Sequence, residues 1–123
     1  MFYEQDWILR QISIIIKFIR SLLSKEVKVY EQDEEQTVLK EEIEKLIELN
    51  RLKEANSLIV KTSKDKDVLA LGLWFYDLLN DLSDKRLEEG ALAREDILKG
   101  LRTLLYNSDR VDNSVVDIII DKY

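Results

Sequence analysis

The sequence lacks two residue types on which much protein chemistry depends, cysteine and histidine. Without cysteine the chain forms neither disulfides nor thiolate nucleophiles, which predicts a protein of a reducing compartment, the cytoplasm. Without histidine it has neither the commonest metal ligand nor the commonest general base. These absences argue against an enzyme, and we expect no catalytic residues, no cofactor and no metal site.

Proline is also absent, and glycine occupies only three of the 123 positions. Both residues interrupt helices, whereas the abundant leucine, lysine and glutamate favour them. We therefore predict an all-α fold without a sheet, an irregular bundle of about five to seven antiparallel helices. The length suits one domain spanning residues 1–123.

The chain has no surplus of positive charge, since its net charge is −6. A nucleic-acid binder needs a concentrated basic surface, so we expect no nucleic-acid partner. A helix-turn-helix interpretation of residues 84–106 is not favoured either, because acidic residues balance the basic ones there. Arg10, Lys17 and Arg20 interrupt the apolar residues near the start, which predicts neither a signal peptide nor a membrane span.

The strongest pattern predicts a long amphipathic helix over residues 1–24. Apolar residues recur at helical spacing along its buried side: Ile8, Ile12, Ile15, Ile19 and Leu22. Trp7, Ile14 and Phe18 lie outside that stripe and widen the apolar arc to roughly 220°. An arc of this width predicts that the helix is covered on more than one side.

Residues 25–37 lose this periodicity and gather acidic side chains, which predicts an acidic connector. Thr37 is the expected cap of the next helix, and residues 38–123 form the helical bundle. Asn50 is expected to end the second helix, because asparagine tolerates a left-handed backbone. Ser63 or Asp65 is the expected cap of the helix that follows the third one.

The most hydrophobic segment, residues 68–82, predicts a central helix. We expect Trp74 and Phe75 in the core, and Tyr76 to reach the surface.

Gly90 is the expected left-handed end of a short helix, whereas Gly72 and Gly100 predict points of close helix approach. Residues 115–121 favour a final helix capped by Asp112 or Asn113, with a strand left open because several of them are β-branched.

Residues 46–59, with the sequence LIELNRLKEANSLI, resemble the inter-helix turn of a tetratricopeptide-type repeat. Asn50 stands where that repeat prefers glycine. Only one such hairpin is legible, so the resemblance implies a tetratricopeptide-like αα-hairpin within the bundle.

A second resemblance spans nearly the whole chain and rests on two motifs. The first comprises Tyr3, Gln5, Asp6, Trp7, Ile8, Arg10, Gln11 and Ile12. The second is a Leu-Glu-Glu-Gly turn at residues 87–90, followed by Arg94, Glu95, Asp96 and Ile97. Together they resemble an uncharacterised family of small acidic all-helical bacterial proteins. The resemblance implies a helical fold and carries over no functional residues.

The over-wide apolar arc makes an interaction protein the leading functional hypothesis. Its candidate interface comprises Trp7, Gln11, Ile14 and Phe18, and the expected partner is a protein, first of all a second copy in a homodimer. Two alternatives stay open. The first helix, with its basic residues, suits peripheral binding to a membrane surface. A small-ligand sensor would place its pocket between the first helix and the helix at residues 68–82.

Overall fold

The structure is a computed structural model that describes residues 2–23, 34–109 and 111–122. Within these ranges the chain forms seven helices and no strand. They are α1 (Phe2–Leu23), α2 (Glu34–Glu48), α3 (Leu52–Ser63), α4 (Leu69–Asn80), α5 (Asp84–Glu89), α6 (Arg94–Asn107) and α7 (Asn113–Lys122). The predicted all-α bundle is confirmed, and the last segment is a helix, not a strand.

The hydrophobic core forms where α1, α3, α4 and α7 pack against α6. Helix α1 also packs against α4, and α2 packs against α3. Fully buried side chains come from all six of these helices, among them Ile12, Ile43, Ile59, Phe75, Leu101 and Val116. One apolar core therefore holds the helices together, through the burial of aliphatic surface.

Helices α4 and α6 approach each other closely through two glycines, as the sequence predicted. A Cβ atom at Gly72 would lie 2.9 Å from Cδ1 of Leu104, and one at Gly100 would lie 2.7 Å from Oδ1 of Asn56 and overlap the Tyr76 hydroxyl. Neither position has room for a larger residue unless a neighbour shifts. The two glycines fix how closely these helices pack.

The aromatic side chains of α4 are arranged differently from the prediction. Tyr76 is fully buried, and its hydroxyl donates a hydrogen bond to Oδ1 of Asn56 at 2.7 Å. Trp74 is only half-buried, and Nζ of Lys40 lies 4.9 Å from the centroid of one of its rings. Phe75 is buried as predicted. The prediction failed for Tyr76 because the polar partner that satisfies its hydroxyl comes from α3.

Two helices end with a left-handed residue. Asn50 has a φ of 56°, which confirms its predicted role after α2. After α5, however, the left-handed residue is Ala91, with a φ of 59°, whereas Gly90 has a φ of −83°. Gly90 is constrained by packing instead, because a Cβ atom there would lie 2.6 Å from Cγ of Leu52.

The predicted caps of three helices, α2, α4 and α7, can be compared with the structure. Helix α2 begins at Glu34, so Thr37 lies inside its first turns and does not precede them. Acidic residues suit the positive end of a helix dipole, which is why the acidic segment is partly helical. The rest of the predicted connector, residues 25–33, lies outside the described residues.

At the start of α4, neither Ser63 nor Asp65 is the cap. Ser63 belongs to α3, and Asp67 accepts a hydrogen bond from the backbone N–H of Leu69 at 3.1 Å. Asp112 precedes α7 as predicted and accepts hydrogen bonds from the backbone N–H and the hydroxyl of Ser114. These bonds lower the pKa of Asp112.

A buried polar network joins α1, α4, α5 and α6. Arg94 of α6 is buried and donates to the backbone oxygens of Asn80 and Leu82, both at 3.1 Å, and to the Asp84 carboxylate at 2.9 Å. The amide of Asn80 in turn donates to the backbone oxygen of Leu9 in α1, at 3.0 Å. The network fixes α1 to the end of α4.

Candidate protein-interaction surface

Three of the four predicted interface residues lie together on the solvent side of α1. Trp7, Ile14 and Phe18 are 48%, 45% and 44% exposed. Leu22, one turn beyond Phe18, is 54% exposed and extends the same surface. We call Trp7, Ile14, Phe18 and Leu22, with Gln11 between them, the exposed α1 face.

The side of α1 next to this face belongs to the core. Its isoleucines are all buried: Ile8, Ile12, Ile15, Ile16 and Ile19. At 100° per residue the exposed α1 face covers about 80° of the helix circumference next to this buried side. Helix α1 is therefore apolar toward the core and also toward the solvent, and the described residues do not supply the predicted cover on a second side.

Gln11 is the fourth predicted residue and lies in the middle of the exposed α1 face along the helix. It is only 8% exposed, and its Oε1 atom is buried without a hydrogen-bond partner in the described part of the chain. A buried polar atom left without a partner costs roughly 1 to 3 kcal/mol. Gln11 thus has a buried polar atom without a partner beneath the exposed α1 face.

The charged residues of α1 are all basic between Trp7 and Leu22. Arg10 and Lys17 are exposed beside the apolar face. Arg20 forms an ion pair with Asp77 of α4, with 3.1 Å between Nη1 and Oδ2. This part of an acidic chain therefore carries no carboxylate of its own.

The aromatic residues of α4 and the acidic residues of α2 differ in burial. Phe75 and Tyr76 are buried in the core. Glu41, Glu42 and Glu44 are exposed on α2. In the described ranges, no three acidic side chains are close enough together to hold a metal ion.

An open groove lies between α5 and the start of α6. Asp84, Glu88 and Glu95 line it together with apolar residues. Arg94, at its floor, is already bound to Asp84 and to backbone oxygens. The groove therefore has acidic residues at its edge, and its buried residue Arg94 already has hydrogen-bond partners.

The sequence missed Leu22 as a surface residue, since its spacing from Ile8, Ile15 and Ile19 places it on the buried stripe. Leu22 is 54% exposed among the described residues, and sequence periodicity gives no sign of where coverage of a buried stripe stops.

Comparison with known proteins gives one match. A family model described as a family of unknown function, DUF6483, matches residues 2–108. No curated protein and no solved structure matches the chain. Within the described residues, no helix combines the length and the apolar character needed to cross a membrane.

Proposed function

The chain belongs to the DUF6483 family, and we propose that it is a non-enzymatic interaction protein whose docking surface is the exposed α1 face. One observation supports this most directly. Trp7, Ile14 and Phe18 remain about half exposed on a helix whose adjoining side is buried in the core. Large aromatic side chains at a surface are typical of the centres of protein interfaces.

The size of the surface supports the same proposal. Four large side chains about half exposed, each with a full area on the order of 200 Å², present roughly 400 Å² of apolar surface. Contiguous apolar patches of about this size on a soluble protein are often functional. Burying it against a partner removes an unfavourable contact with water.

Peripheral membrane binding is the alternative that the basic residues Arg10 and Lys17 favour. Two observations favour a protein partner instead. The net charge of −6 opposes approach to an anionic bilayer. The unsatisfied amide of Gln11 requires a hydrogen-bonding group, which a protein supplies and the acyl chains of a lipid do not.

We extend the proposal to the cellular compartment of the protein and to the hairpin of α2 and α3. A chain without cysteine is suited to the reducing cytoplasm. Helices α2 and α3 form a tetratricopeptide-like hairpin in this proposal, since left-handed Asn50 joins them and the small residue Ala55 is fully buried in α3.

Site-specific photo-crosslinking tests the docking surface. A photoreactive amino acid replaces Ile14 in the full chain, expressed in its native cell, and the matched control replaces the exposed Ser57 of α3. We expect discrete protein adducts from position 14 that are absent from position 57 and lost when Trp7→Ser and Phe18→Ser are added. Adducts to lipid only, or none from position 14, would contradict the proposal.

A further inference from the structure

We propose that the occupant of the exposed α1 face is a second copy of this chain, packed as a parallel and in-register pair of α1 helices. This inference rests on the proposed function, because it names the partner of the same surface. Spacing, polar pairing, charge and area each support it.

The spacing of the face matches the seam of a coiled coil. Trp7, Gln11, Ile14 and Phe18 follow one another at intervals of four, three and four residues. This is the alternation of a heptad repeat, with Trp7 and Ile14 at d positions and Gln11 and Phe18 at a positions. Residues spaced in this way stay on the seam when two helices cross at about 20°.

Gln11 favours a copy of the same chain over an unrelated apolar helix. Among the described residues its buried Oε1 atom lacks a hydrogen-bond donor, and an amide side chain carries both a donor and an acceptor. Two Gln11 side chains that meet at a two-fold axis satisfy each other reciprocally after rotation about their own side-chain bonds. A single polar residue at an a position fixes the register of a coiled coil in this way.

The same residue selects the parallel orientation. An antiparallel pair centred on the face would set Gln11 against the partner's Ile14, leaving the amide unsatisfied. It would also bring the Arg10 and Lys17 side chains of both copies to one side of the pair. In the parallel pair the amides meet, and the basic residues of the two copies lie on opposite sides.

The available area agrees with what a stable dimer needs. A standard interface buries about 800 Å² on each partner, of which a little over half is apolar. The roughly 400 Å² of apolar side chain estimated for the exposed α1 face is close to that apolar share. Two acidic chains also meet with least repulsion through a helix segment that has no carboxylate.

Single-cysteine variants test this arrangement, because the natural chain has no cysteine to interfere. Under mild oxidation we expect Ile14→Cys to form a disulfide-linked dimer at least about tenfold faster than the control Ser57→Cys, because a dimer raises the effective concentration of facing thiols. A mixture of Trp7→Cys and Phe18→Cys should give only the two homodimers. A cross-linked pair of the two different variants would overturn the parallel orientation.

Light scattering of the unmodified chain measures its mass directly. We expect twice the 14.5 kDa of one chain. Gln11→Leu should still associate but should yield the mixed Trp7→Cys and Phe18→Cys pair, because the amides that select the parallel orientation are gone. If this variant still gave homodimers only, Gln11 would not select the orientation.

The outcomes separate this inference from the proposed function. A mass of one chain, with no disulfide from Ile14→Cys, overturns the second-copy proposal. Protein adducts from the photoreactive residue at position 14 would then show that the surface binds a different protein. The absence of those adducts as well would overturn both proposals.

Discussion

Two buried polar side chains, Tyr76 and Gln11, differ in whether the fold provides them with a partner. The Tyr76 hydroxyl donates to Asn56, whereas the Oε1 atom of Gln11 accepts no hydrogen bond from the described residues. Native interiors leave few polar groups unpaired. The pairing of Tyr76 stabilises the fold, whereas the described residues give the Oε1 atom of Gln11 no such stabilisation.

Tyr76 leads to a prediction about alkaline pH. Burial raises the pKa of Tyr76 well above its ordinary value near 10, so above that pH the unfolded chain loses this proton while the folded chain keeps it. The resulting stability loss is absent below pH 10 and grows above it, by up to about 1.4 kcal/mol per pH unit.

Urea unfolding of the natural chain and of Tyr76→Phe, at several values from pH 8 to pH 11, measures this contribution. At pH 8 the variant should be less stable by about 1 kcal/mol, because it lacks the hydrogen bond to Asn56. Above pH 10 the difference between the two proteins should shrink. A constant difference over the whole range would show that Tyr76 does not cause the alkaline loss.

At the level of helices and turns, the sequence predicted what depends on local pattern. Helix α1, the left-handed Asn50 and the cap at Asp112 all follow from residue spacing and backbone preference. The role of Gly90 did not follow from local pattern, because glycine is needed there for contact with Leu52, which is distant in sequence. The exposed side of α1 was predictable from the width of its apolar arc, whereas the exposure of Leu22 depends on how far neighbouring helices extend.

Ala91 gives a prediction for a helix end. An alanine in the left-handed region is strained, and the N–H groups of Ala91 and Leu92 bond back to Glu88 and Leu87 at 3.0 Å. Ala91→Gly keeps these bonds and removes the strain, so we expect a gain of up to about 1 kcal/mol in the free energy of unfolding.

The matched control is Asn50→Gly, at the other left-handed position. Asparagine tolerates this conformation, and its side chain also bonds to the backbone oxygen and to Nε of Arg86. The control should therefore give no gain. Chemical denaturation compares the two variants, and a loss of stability in Ala91→Gly would refute the strain argument.

Across the whole molecule, the Arg94 network connects helices that are far apart in sequence. Arg94 has a side chain only 6% exposed, whereas that of its partner Asp84 is 67% exposed. The ion pair itself is therefore screened by water, and the donation to backbone oxygens accounts for most of the stabilisation.

This asymmetry predicts unequal effects of removing the two partners. Arg94→Met should lower the free energy of unfolding by about 2 to 4 kcal/mol, since it leaves buried carbonyl groups without donors. Asp84→Asn should cost less than about 1 kcal/mol. Thermal and urea unfolding measure both, and equal losses would mean that the exposed ion pair dominates.

The glycine contacts between α4 and α6 have a consequence for the position of α1. Gly72 of α4 contacts Leu104 of α6, and Gly100 of α6 contacts Tyr76 of α4. On each helix the two contacting residues are one turn apart, and their order shows that the two helices run in opposite directions. Sliding either helix by a turn, about 5.4 Å, would move the side chains of Leu104 and Tyr76 away from the glycines that they contact. Helix α1 rests on both α4 and α6. A bulkier residue at position 72 or 100 would thus tilt or lift the exposed α1 face without altering any residue that forms it.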